Sequence, residues 1–115
     1  MLVVEDEAII SLLIEDMLLE LGAGGVRIAA SLRAALSALD EALPDLAVLD
    51  VNVGGERIYP VAERLEAAGI GFVFATGYGR SGLEPRWAEK TVVQKPFDSG
   101  VLRAALAVAL AGARR

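Results

Sequence analysis

The sequence predicts an α/β fold, a (βα)5 chain in which five strands each precede a helix, on three observations. Apolar runs alternate five times with helix-spaced patterns, the order that gives a parallel sheet covered on both faces. The clearest run, Leu46, Ala47, Val48 and Leu49, has no polar alternation and reads as a strand buried on both sides. The length of 115 residues suits one domain over 1–115, with a single core.

The elements follow in order. "MLVV" (1–4) is a short first strand. Over 7–21 the residues Ile10, Leu13, Met17 and Leu21 recur at helical spacing, and Gly22 supplies a stop. "VRIAA" is the second strand, and Ser31 is placed to cap a helix carrying Leu32, Ala35, Leu36, Leu39 and Leu43, ended by Pro44. The third strand, "LAVLD", leads into Gly54 and Gly55, which read as turn glycines without the spacing of a phosphate-cradling loop. A helix around Val61, Leu65 and Ala68 closes at Gly69; "IGFVFA" (70–75) is the fourth strand and "TVVQ" (91–94) the fifth. Val101, Leu102, Ala105, Leu106 and Ala109 mark the last helix, whose end Arg114 and Arg115 complement. The fourth helix is poorly written. "TGYGRSGLEPRWAEKT" (76–91) holds Gly77, Gly79, Gly82 and Pro85, so a long mobile loop with a short turn or two over 84–89 is expected. Right-handed crossovers and this length favour a three-layer sandwich with the flavodoxin-like strand order 2-1-3-4-5.

Composition narrows the chemistry. There is no cysteine and no histidine, which removes disulfides, thiolate chemistry and imidazole as base or ligand. A net charge of −5 without a basic stripe argues against direct nucleic-acid binding. No apolar stretch approaches the ~20 residues of a membrane span, and no basic region precedes the first apolar residues. A cytoplasmic location, away from membranes, is expected.

Ligands of open parallel sheets bind beyond the carboxyl ends of the strands, at the switch in strand order. There the first strand presents Glu5 and Asp6, the third Asp50, the fourth Thr76 and the fifth Lys95. Three converging carboxylates raise one another's pKa unless a cation joins them. With only oxygen ligands to offer, the natural cation is Mg²⁺, with the main-chain carbonyl of Asn52 within reach as a further ligand. A carboxylate beside a metal, a lysine and a hydroxyl is equipped to attack phosphorus while Lys95 and Thr76 meet the equatorial oxygens.

Together "VVEDE", "VLDVN", "FATGY" and "QKPF", in order at the strand ends, resemble the receiver domain of bacterial two-component response regulators over essentially the whole chain. The resemblance implies transfer of a phosphoryl group to Asp50 from a histidine kinase or histidine phosphotransfer protein. Glu5 and Asp6 match the acidic metal-binding pair, with Asp6 the more direct ligand. Asn52 matches the carbonyl ligand, Thr76 the switch hydroxyl and Lys95 the phosphate-pairing lysine. The family's Lys-Pro bond is usually cis, so a cis Lys95-Pro96 bond is expected. Beyond this self-catalysed acceptance and slow dephosphorylation, no enzymatic turnover is implied.

Two features depart from the common pattern. Val92 stands where most receivers carry a switching Tyr or Phe, three residues before the lysine, and the fourth helix is disrupted. With "FVFATGYG" (72–79), these departures resemble the receiver subgroup called FAT GUY, associated with alphaproteobacterial stress and adaptation signalling. Tyr78 is then either a loop aromatic lying against the domain or the moving group that replaces the missing one. Trp87 is expected to pack the short fourth element. Ile9, Leu12, Leu19, Val108 and Leu110 exceed what inward faces need, so the first and last helices offer either a partner surface or surplus burial; a monomer or weak dimer is expected.

Two other functions use the same residues. A Mg²⁺-dependent aspartyl-phosphate phosphatase often has a second acid two residues after its nucleophile, and Asn52 holds that place without acid–base capacity. An adaptor would bind its partner without phosphorylation. The residues given end with the last helix and the first strand is short, so either a stand-alone receiver or a piece of a larger regulator is expected.

Overall fold

The computed structural model describes residues 1–78 and 82–113. The chain runs β1 (Leu2–Val4), α1 (Ala8–Glu20), β2 (Arg27–Ala29), α2 (Leu32–Glu41) and β3 (Leu46–Asp50), then a hairpin of β4 (Asn52–Val53) and β5 (Glu56–Arg57). It continues through α3 (Tyr59–Ala67), β6 (Gly71–Thr76), a 3-10 turn at Pro85–Trp87, β7 (Val92–Gln94) and α4 (Ser99–Ala113). Five strands form one parallel sheet in the order β2-β1-β3-β6-β7. Counting only those five, this is the predicted order 2-1-3-4-5, in a flavodoxin-like α/β sandwich.

Period-two alternation sends each strand's side chains to two separate cores. Val3, Val48 and Val73 meet Ile14 and Leu18 of α1 and Leu102 and Leu106 of α4. On the opposite face Leu2, Leu49 and Phe74 meet Ala35 and Leu39 of α2 and Val61 and Leu65 of α3. Gly71 lets α4 lie close to β6: a Cβ there would stand 2.6 Å from the Ala109 carbonyl oxygen.

Local signals explain the helix ends. Ser31 caps α2, its Oγ accepting from the Ala34 N–H at 3.0 Å. Gly69, at φ +73°, closes α3 in the left-handed region that glycine enters freely. Pro44 does not itself end α2, which stops at Glu41 with Ala42 already extended. The Arg27 guanidinium donates to the carbonyl oxygens of Ala38 and Ala42 at 3.0 and 2.7 Å, so tertiary bonds satisfy the last turn before the proline is reached.

The predicted inward row of α1 is corrected by one position. Ser11, Ile14 and Leu18 are buried, whereas Leu13 is 53% exposed and Ile10, Met17 and Leu21 are half-buried. Apolar residues occupy most of this helix's circumference, so their spacing specifies no unique phase. Ser11 is accommodated because its hydroxyl donates to the Ala8 carbonyl at 2.9 Å. Leu43 and Val101, read as inward, are likewise exposed.

Among the described residues the place of the fourth helix is taken by 3-10 structure, including the turn at Pro85–Trp87, as its glycines and proline predict. The expected mobile loop falls partly on residues 79–81, which lie outside the described residues, as do Arg114 and Arg115. Trp87 is buried and stacks on Tyr59 at 5.8 Å, with an interplanar angle of 6°, and meets Phe72 and Phe74 edge-on. One indole thus covers sheet that a helix would otherwise cover. Half-buried Val92 packs into the same core, as a wall of the aromatic cluster.

Candidate functional site

Strand register assembles the site. Val4 pairs with Leu49, so Glu5 and Asp50 leave their strands side by side. Thr76 pairs with Gln94, and the Lys95 N–H donates to the Thr76 carbonyl at 2.9 Å. Alternation then separates the functional side chains. Glu5, Asp50 and Lys95 each lie two residues beyond a member of the α1/α4 core, namely Val3, Val48 and Val93, so all three emerge on one face. Thr76 lies two residues beyond Phe74 and emerges on the face of the aromatic cluster.

Lys95 Nζ stands 2.5 Å from Glu5 Oε1 and 3.4 Å from Asp50 Oδ2. Glu5 is 1% exposed, and its other oxygen accepts from the Glu7 N–H at 3.1 Å. It is the buried anchor of the cluster. Asp50 is half-buried, and desolvation pushes its pKa up to about 6; Lys95 opposes that rise and Glu5 adds to it. Burial pulls the Lys95 ammonium down, but the hydrogen bond to Glu5 and the charges of Asp50 and Glu5 outweigh it and hold its pKa above the usual value. Asp6 is exposed, and the Gly54 N–H that donates to its Oδ2 at 3.1 Å draws its pKa below normal.

Ligand oxygens of Glu5, Asp6 and Asp50 all lie within 4.8 Å of one another. This all-oxygen, anionic set fits a hard divalent cation. The carbonyl expected from the sequence, that of Asn52, belongs to the hairpin. The Ile58 N–H bonds to the Val51 carbonyl, so the next pair, Asn52 with Arg57, occupies a non-hydrogen-bonded position and leaves the Asn52 carbonyl free of its partner strand.

Thr76 is 3% exposed, and its Oγ1 accepts from the Tyr78 N–H at 3.1 Å. The Tyr78 side chain is 74% exposed, so it does not lie buried against the domain. Gly82 returns over the hydroxyl, its Cβ position only 3.0 Å from Thr76 Oγ1. The Lys95-Pro96 bond is cis, as expected.

The hairpin was not foreseen beyond its turn. Gly54 and Gly55, at φ +58° and +83°, form the two-residue turn in which both central residues need positive φ. The chain therefore folds back and sets Arg57 opposite Asn52. A cavity beside Asp50 is lined by Asn52, Arg57, Thr76, Tyr78 and Gly82. Two glycines between short polar–apolar segments carried that signal, and Arg57 was the residue missed.

No protein-family model and no curated protein matches the chain. Solved structures do. SdrG from Sphingomonas melonis Fr1 is 39% identical, covering 99% of this chain and 94% of that chain with a TM-score of 0.80. SdrG has also been solved in a BeF3-activated conformation. The REC domain of the PhyR response regulator from Erythrobacter litoralis is 27% identical at a TM-score of 0.83, covering 95% of this chain and 87% of that one. The PhyR stress response regulator is 30% identical at 0.82 over 95% of this chain, which spans 43% of that protein.

Proposed function

The chain belongs to the receiver domains of response regulators, and on that premise we propose that Asp50 is its phosphoryl acceptor in a two-component system or phosphorelay. The observation that carries the reading is the convergence of Asp50 with Glu5, Asp6 and Lys95 at the carboxyl edge of the sheet. With a pKa of about 6, Asp50 is mostly ionised at neutral pH. In the proposed step its carboxylate oxygen forms a bond to phosphorus as the P–N bond of a donor phosphohistidine breaks. The leaving imidazole keeps the electron pair and takes up a proton.

Glu5, Asp6, Asp50 and the Asn52 carbonyl would hold Mg²⁺, which when bound offsets the charge of the carboxylates and of phosphoryl oxygens. Lys95 holds its ammonium at Asp50 while Glu5 keeps it oriented. Thr76 follows the new phosphoryl group with its hydroxyl. In doing so it gives up the Tyr78 N–H and alters the segment containing Tyr78 and Gly82. With Val92 in place of an aromatic, this segment carries the readout.

The donor is a histidine kinase or histidine phosphotransfer protein. A surface for such a protein is available on α1, where Ile9, Leu12 and Leu13 are exposed beside an apolar groove reaching Lys95 and Phe97. Among the described residues no helix is long and apolar enough to cross a membrane, which agrees with action in the cytoplasm. Similarity to a PhyR stress response regulator, with "FATGY" and the missing fourth helix, supports membership of the FAT GUY subgroup. The chain acts as a switch without substrate turnover.

Mass spectrometry after incubation with Mg²⁺ and acetyl phosphate tests the reading. Wild type is expected to gain one phosphoryl group and Asp50→Asn none. Equal labelling of the two overturns it.

A further inference from the structure

We propose that Arg57 binds the phosphoryl group at Asp50, as a second cation facing the side that Lys95 does not reach. This rests on the phospho-acceptor reading and adds a residue that its motifs do not include. Among the described residues lining the cavity beside Asp50, Arg57 is the one basic side chain; Lys95 does not line it. Lys95 is committed to the opposite side, between Glu5 and Asp50.

The hairpin aims a cation, and not an anion, at this cavity. Side chains alternate along β5, so Arg57 lines the cavity and its neighbour Glu56 does not. The turn at Gly54 and Gly55 sets the register, and the Gly54 N–H bonded to Asp6 fastens the hairpin to the acidic pair. The guanidinium is also available. Arg64 and Arg86 are held by Asp40, Glu63 and Glu66, and Arg27 by helix carbonyls, whereas Arg57 makes no ion pair among the described residues.

Charge balance gives it a task. With a divalent cation bound, the carboxylates of Glu5, Asp6 and Asp50 and the ammonium of Lys95 sum to neutrality. Acylation of phosphate exchanges the charge of Asp50 for about −1.5 to −2 on the phosphoryl oxygens. About one-half to one negative charge is then left uncompensated, and a planar guanidinium suits phosphoryl oxygens.

The test follows Asp50 phosphorylation at increasing acetyl phosphate with saturating Mg²⁺ in wild type, Arg57→Ala, Arg57→Lys and Arg103→Ala. Arg103 is exposed on α4 and controls for net charge. Arg57→Ala is expected to raise the half-saturating donor concentration about two- to fivefold, as loss of one exposed charge-assisted contact does. The maximal rate should change less, Arg57→Lys should restore much of the affinity, and Arg103→Ala should match wild type. Beryllofluoride titration followed by the amide signals of Gly77 and Tyr78 should show a similar loss of affinity in Arg57→Ala. Unchanged half-saturation and beryllofluoride affinity, or an equal shift in Arg103→Ala, overturns the role of Arg57 while labelled wild type leaves Asp50 as acceptor. Wild type that takes no label overturns the acceptor reading and this inference with it.

Discussion

The two faces of the sheet's carboxyl edge are stabilised in opposite ways. On the α1/α4 side, Glu5, Asp50 and Lys95 gather charge in a half-buried place where, among the described residues, one cation serves two carboxylates. On the other side, Thr76 leads into a segment held by packing. Trp87 lies in an aromatic cluster, the Glu84 N–H donates to the Tyr59 hydroxyl at 3.0 Å, and Glu66 pairs with Arg86 and Lys90. The proposed chemistry thus lies where the fold is under electrostatic tension, and the proposed readout is moored where apolar burial is strong. The aromatic cluster and the Tyr59 hydroxyl hold the chain at Glu84 and Trp87, while Thr76 is tied to the Tyr78 N–H by a single hydrogen bond through its hydroxyl.

The largest test of this contrast is Trp87→Ala, which should cost about 3–5 kcal/mol of stability through the lost indole and the cavity it leaves. Urea unfolding followed by far-ultraviolet circular dichroism measures it, and a loss below about 1 kcal/mol would break the comparison. Next comes Lys95→Ala. It leaves the buried Glu5 carboxylate beside Asp50 without its cation, and about 1–3 kcal/mol should be lost in the same assay.

Asp50→Asn should act in the opposite direction. The native carboxyl has a pKa of about 6 against an ordinary value of 3.8, so the folded state binds this proton more tightly than the unfolded chain. Its contribution is full below about pH 4 and is lost as pH rises through about 6. Metal-free Asp50→Asn should therefore melt above wild type at pH 7.5, by on the order of 1 kcal/mol, with the advantage gone at pH 4. A variant less stable than wild type at pH 7.5 would show that Asp50 is not under tension.

The smallest effect is expected of Gly82→Ala. The new Cβ would press on Thr76 Oγ1 at 3.0 Å and on the Tyr78 Cβ at 3.2 Å. A loss of a few tenths of a kcal/mol is expected at this half-buried position, with labelling of Asp50 retained and the Gly77 and Tyr78 amide signals displaced. Unmoved signals would separate Gly82 from the Thr76 hydroxyl.

The five-strand order and the acid, hydroxyl and lysine at the strand ends were legible in the chain because parallel strands are written as apolar blocks. A polar residue closing such a block has to emerge at the sheet's edge. Ser31, Gly69 and the broken fourth helix were legible for a similar reason, since caps and breakers act through neighbours in sequence. What required the folded molecule were relations between distant segments. The phase of α1 is set by the sheet beneath it, because a helix apolar nearly all round has no preferred face. The split between Glu5, Asp50 and Lys95 on one face and Thr76 on the other follows from register across β1, β3, β6 and β7. The approach of Arg57 to Asp50 depends on two positive-φ glycines turning the chain back. Local chemistry chose the residues of the site, and long-range pairing chose the direction in which each one points.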